Sequence, residues 1–278
     1  MYETIRIVEN IKPKYVIWEN VRNLLSTKHK HNFDNYILAL ENLGYNSYYQ
    51  ILNASDYGIP QKRERVYTIS IRKDIDKGNF EFPPKEELKI KLKDILEDEV
   101  DEKYYLSDKQ LTYILDGNDV ALKSGRNINN RIVNPQIAKT ISCRGAADQR
   151  ADVTNFVINN YNEEMTVKDV KKVIPFGTYY TWQDNQGNIN TQCNRASSIN
   201  GISPTIPTIQ GLTKIINDLN EEPLRIRKLT PKECWRLMGF TDEDFSKAEK
   251  VNSNTQLYKQ AGNSIVVNVL EALFAQLF

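Results

Sequence analysis

Four apolar residues in succession, Tyr15-Val16-Ile17-Trp18, run directly into Glu19-Asn20. A continuous apolar run of this length is the pattern of a strand covered on both faces, and it predicts an interior parallel strand with polar residues at its carboxyl end. The flanks agree. Tyr2 to Ile11 places Ile5, Val8 and Ile11 on one helical face, and Pro13 ends that helix. Phe33 to Leu43 reads as a second amphipathic helix stopped by Gly44 at C′, Tyr45 to Leu52 as a strand, and Arg65 to Ile71 as another. Helix, strand, helix, strand, strand predicts part of an α/β sheet.

The texture then changes. Pro83-Pro84 opens a Lys/Glu-rich stretch and Glu97 to Glu102 is acidic, a solvated linker or helix face. From about Tyr104 to Asn220 the chain is rich in Asn, Gly, Gln and Thr with short β-prone runs such as Asn155-Phe156-Val157-Ile158, which predicts a loop-rich second domain. Ala138-Lys139-Thr140-Ile141 and Ser203-Pro204-Thr205-Ile206 echo each other too loosely to be a repeat. Thr230-Pro231-Lys232-Glu233 has the capping-box form with Pro at N1 and opens a short helix to Gly239; Ser264 to Phe278 is a last, strongly apolar helix expected to pack on the first domain. The predicted division is therefore 1–82, 83–224 and 225–278, the third segment returning to the first domain.

Composition narrows the class. With 278 residues, 40% hydrophobic and 26% charged, the chain is globular rather than disordered or fibrous. Cys143, Cys193 and Cys234 form no C-x-x-C pair, so neither a disulfide framework nor a metal site is expected, and a reducing cytoplasm fits best. No apolar run approaches the roughly 20 residues of a membrane span, and no secretory leader is read. A net charge of +1 gives no global attraction to nucleic acid, so any such contact must be local.

Three clusters can carry chemistry. Glu19 follows the apolar run, at the strand end where open α/β sheets place ligands; standing alone it reads first as a helix-entry or turn residue. In Gln61-Lys62-Arg63-Glu64-Arg65, the strand period puts Gln61, Arg63 and Arg65 on one face, an amide beside two guanidiniums suited to a phosphate or a base carbonyl, or else a charged edge strand. Gly262-Asn263-Ser264 lies between two helical stretches as a C′ glycine followed by a cap, or as a ligand-binding turn.

Their order resembles the C-terminal two-thirds of a DNA cytosine-5 methyltransferase. The matching blocks are Glu19-Asn20-Val21; Asp56 through Pro60-Gln61-Lys62-Arg63-Glu64-Arg65-Val66; Arg227-Lys228-Leu229-Thr230 through Glu233 to Gly239-Phe240; and Tyr258 through Gly262-Asn263-Ser264. The resemblance implies an α/β fold in which an incomplete Rossmann-like, S-adenosylmethionine-dependent methyltransferase domain carries a mainly β target-recognition domain. It also implies duplex DNA as substrate, with a cytosine flipped from the stack, attacked at C6 by a cysteine thiolate and methylated at C5, commonly in a restriction-modification setting. Glu19 would hydrogen-bond N3 and the exocyclic amine as proton donor, Arg65 would hold O2, and Arg63 would orient the catalytic loop or a phosphate. Asn263 and Ser264 would line the cofactor pocket. Gln61, Arg144, Thr205 and Arg225 are the implied DNA contacts, with Arg126 and Arg131 further phosphate candidates and Thr205-Ile206 the paired residues near the recognition domain's end.

Two family signatures are missing. No proline is followed by cysteine and no two glycines form Gly-x-Gly, so the nucleophile's Pro-Cys pair and the glycine-containing cofactor loop are not in this sequence. Cys234, inside a predicted amphipathic helix, reads as a packed thiol. The expectation is a chain inactive alone, with apolar surface left for an N-terminal half on another polypeptide or lost by truncation. The competing readings are a catalytically dead DNA-binding remnant or regulator, and an unrelated α/β enzyme using Glu19 and Arg63 on a small anion.

Overall fold

The computed structural model describes residues 1–107, 132–133, 135–141, 155–158, 165–166 and 226–278. Its chain divides into two compact units, the first made of Met1–Glu97, Gln136–Asp148 and Pro231–Phe278, the second of Asp98–Pro135 and Gln149–Thr230. These divisions fall after Glu97 and after Thr230, later than the textural boundaries at 82/83 and 224/225.

The first unit is organised by a three-stranded sheet. β1 (Tyr15–Val21), β2 (Tyr45–Asn53) and, beyond the two-residue β3 (Gln61–Lys62), β4 (Glu64–Arg72) lie in the order β1-β4-β2, with β4 antiparallel to both neighbours. The expected interior parallel strand is thus corrected. Among the described residues β1 is an edge strand with an antiparallel neighbour, and the interior place belongs to β4, buried from Val66 to Ile71. The apolar run reports cover on its faces, not the direction of its neighbour. That cover is aromatic: Trp18 lies 4.6 Å from Tyr36 and 6.4 Å from Phe33, centroid to centroid, while Tyr15 on the opposite face meets Phe278 at 5.1 Å.

The helices follow their signals with small shifts. α1 (Tyr2–Ile11) ends on left-handed Lys12 (φ 49°), whose N–H donates to Val8 O at 2.8 Å. α2 (Lys30–Asn42) begins three residues ahead of its apolar period and closes at Gly44 (φ 88°), whose N–H donates to Glu41 O at 3.0 Å. Val8, Val16, Leu24, Phe33, Tyr36, Leu40 and Tyr45 form the core between α1, α2 and the sheet.

At the C-terminal end come α3 (Pro231–Arg236), α4 (Asp242–Glu249), α5 (Asn254–Asn263) and α6 (Val267–Leu277). α4 adds a helix to those expected, and Thr241 and Asp244 form a complete capping box at its start. Gly262 is corrected too: it is buried within the last turn of α5, outside the left-handed region, and Ser264 is that helix's C-cap, so α6 starts at Val267 and not at Ser264.

Short strands complete the description. β5 (Ile132–Val133) pairs antiparallel with β8 (Met165–Thr166), and β7 (Phe156–Ile158) with β9 (Ile226–Lys228), all within the second unit. β6 (Ala138–Lys139) runs parallel to β3 in the first. No helix among the described residues is long and apolar enough to cross a membrane.

Candidate active site

β1 and β4 bring Glu19 and Arg65 together because antiparallel register sets Glu19 opposite Tyr67 and Val21 opposite Arg65. Residues two apart on a strand share a face, so Glu19, Arg65 and Tyr67 project to the same side at the carboxyl end of β1. Glu19 Oε1 accepts from Arg65 Nε at 3.1 Å, and the two side chains retain only 17% and 16% of their exposure. Arg65 Nη1 donates to Glu64 O at 2.9 Å.

The electrostatics of Glu19 set burial against its ion pair. Burial raises the Glu19 pKa above the ordinary carboxyl value and outweighs the opposing pull of Arg65 and Arg63. Tyr67, 2% exposed, walls the pair off, and burial drives its own phenol strongly upward.

Arg63 takes a different part. The strand breaks at this residue, between β3 and β4, so Gln61, Arg63 and Arg65 do not lie along one uninterrupted face. Asn53 Oδ1 accepts the Arg63 backbone N–H at 2.9 Å, and the guanidinium turns inward, Nη1 to Ile141 O at 3.3 Å and Nη2 to Gly262 O at 3.1 Å and Ser264 O at 2.9 Å. Burial lowers its pKa to about 10.

Gln61, expected at the DNA, is fully enclosed in this structure: it donates through Nε2 to Leu237 O at 2.8 Å and accepts from the Ile141 N–H at 3.4 Å, so here its amide braces the fold. Arg144, Thr205 and Arg225, with Arg126, Arg131, Cys143 and Cys193, lie outside the described residues. Tyr67 and Ile141 were missed: Tyr67 was findable from the strand period two residues past Arg65, whereas nothing local in the sequence marks Ile141, which enters through its backbone.

Asn263 is exposed and Ser264 half-buried, its hydroxyl donating to Ile265 O at 3.1 Å. Cys234 is buried, its thiol pushed upward by burial and by Glu233, which is no setting for a thiolate nucleophile. No group of three or more His, Cys, Asp or Glu able to hold a metal exists among the described residues.

The described part of the site is thus a sheet whose strand end pairs a partly buried carboxyl, its pKa raised, with a guanidinium. The chain belongs to the C-5 cytosine-specific DNA methylase family, which it matches over residues 1–278. It is 34% identical over 278 residues to the type II methyltransferase M2.ScrFI of Lactococcus lactis subsp. cremoris, aligning 100% of this chain with 58% of that protein. It is 31% identical over 324 residues to the orphan methyltransferase M.SPBetaI of Bacillus phage SPbeta, with 99% and 68% covered. The fold is like that of the S. pombe Dnmt2 methyltransferase (TM-score 0.58, 19% identity, 99% of this chain and 71% of that one) and of the Entamoeba histolytica methyltransferase EhMeth (TM-score 0.57, 16%, 96% and 64%). The chain spans 58% of the first of these relatives.

Proposed function

We propose that this chain is the base-binding part of a DNA cytosine-5 methyltransferase, and that the Glu19–Arg65 pair receives a cytosine flipped out of duplex DNA. The pair itself carries the reading. A Glu19 carboxyl whose pKa is raised can donate to cytosine N3, relieving the negative charge that builds on the ring as C6 is attacked, while the Arg65 guanidinium holds O2. Arg144, Thr205 and Arg225 are proposed DNA contacts, residues 98–135 and 149–230 the target-recognition unit, and Asn263 and Ser264 one edge of the S-adenosylmethionine site.

The nucleophile and the rest of that cofactor site are proposed to come from residues this sequence does not contain, since it has neither Pro-Cys nor Gly-x-Gly. An N-terminal half, on a second polypeptide or lost by truncation, would supply them, and alone these 278 residues would transfer no methyl group. The test is co-expression with such a half followed by labelled-methyl transfer to mixed-sequence duplex DNA. Incorporation that falls at least about a hundredfold with Glu19→Gln supports the reading; a soluble complex with no incorporation overturns it. The missing Pro-Cys pair also favours a second reading, a DNA-binding remnant or regulator, which predicts duplex binding in a gel shift without complementation.

A further inference from the structure

Gln61 and Arg63 grip the same residue from two sides: the Ile141 N–H donates to Gln61 Oε1, and Ile141 O accepts from Arg63 Nη1. Each side chain then reaches the C-terminal helices, Gln61 to Leu237 O and Arg63 to Gly262 O and Ser264 O. From this bracket we propose, resting on the base-binding reading above, that Arg63 is a positioning residue: it ties Ile141 and the Gly262–Ser264 turn to the strand carrying Arg65, and so fixes the Glu19–Arg65 pair and Asn263 in one frame.

Gln61 shows that a neutral amide is enough to join backbone groups at this depth. Arg63 instead buries a full charge at 4% exposure, satisfies it with three carbonyls and no carboxylate in contact, and leaves Nε without a partner. A tie that served packing alone would not need that charge, because an enclosed cation without a contacting anion is a penalty to folding. What the charge does reach is the pair. Glu19 is faced by Arg65, Arg63 and Tyr67, and Arg63 is the second cation favouring its ionised form. The bracket therefore sets both where Glu19 sits relative to the turn and how readily its carboxyl releases and regains a proton.

Arg63→Lys keeps the charge and loses the fork; Arg63→Gln keeps a donor and loses the charge. In the full 278-residue chain, carboxyl NMR of Glu19 and amide hydrogen exchange read the two functions separately. The expected result is faster exchange of the Ser264 amide in both variants, by about tenfold or more, with the Glu19 midpoint moved upward in Arg63→Gln and held near its original value in Arg63→Lys. An unmoved midpoint in both variants would reduce Arg63 to a packing residue and overturn the proposal. If Arg63→Gln does not fold, Arg63→Lys still decides: unchanged exchange at Ser264 refutes the tie. Loss of the base-binding reading has a different signature, full methylation by a complemented Glu19→Gln complex, and leaves the exchange result untouched.

Discussion

Glu19 Oε1 and Arg65 Nε meet at 3.1 Å across the β1–β4 ladder, and yet the carboxyl holds its proton more firmly than a free glutamate does. A contacting guanidinium ordinarily lowers a carboxyl pKa, so the burial around Glu19 must exceed the attraction. Folding therefore favours the protonated form. A raised folded-state pKa gives a contribution that is complete below the unfolded value and is lost as pH rises through the folded one. The melting temperature of the native chain, compared with that of Glu19→Gln, should accordingly fall relative to the variant as pH climbs from about 4 toward neutrality, where free glutamate is already ionised. Parallel Tm profiles for the two proteins across that range would show that burial does not control Glu19.

Gln61→Leu nearly conserves volume but strands Leu237 O and the Ile141 N–H inside the protein. Each abandoned backbone group costs about 1–3 kcal/mol, so urea unfolding should show a loss of about 2–6 kcal/mol. A DNA-contacting glutamine would instead lose little stability and much duplex affinity. Measuring both quantities on one variant separates the brace from the contact.

The sheet and its helices were legible because their signals are local: Ile5, Val8 and Ile11 at helical spacing, Gly44 at a helix end, the runs at Tyr15 and Arg65. Strand direction was not, since an apolar run is the same for either partner. Glu19 and Arg65 were singled out from family order together with strand ends, and the β1–β4 register brings them into contact. The inward turn of Arg63 and Gln61 was not, because it depends on carbonyls at 141, 237, 262 and 264 that the chain brings together only on folding. Cys234 was legible from amphipathic spacing alone, and its burial follows from it.

That burial has a chemical consequence. Thiol modification requires the thiolate and access to it, and Cys234 has neither in the folded chain. In a Cys143→Ser, Cys193→Ser background, alkylation at neutral pH should therefore report global unfolding, its rate rising with denaturant along the unfolding transition. Rapid labelling of the native protein would show that α3 opens on its own and would reinstate Cys234 as a reactive group.

Two glycines with nearly the same backbone angle should differ sharply when replaced. Gly44 (φ 88°) has nothing within 4 Å of an added Cβ, whereas at Gly239 (φ 82°) that atom would meet Asn268 Oδ1, and Val267 Cβ at 3.2 Å. Both alanine variants carry the left-handed backbone penalty of about 1–2 kcal/mol. Only Gly239→Ala must also turn the Asn268 amide aside and shift Val267 by a few tenths of an ångström at the start of α6, where Val267 N–H donates to Met238 O at 2.9 Å. Gly44→Ala is expected to lower stability by that backbone penalty alone. Gly239→Ala is expected to cost at least about twice as much, since overpacking adds about 1–3 kcal/mol, and to speed amide exchange at Val267. Equal losses for the two variants would mean that α6 yields without resistance and that the turn after α3 does not set its position.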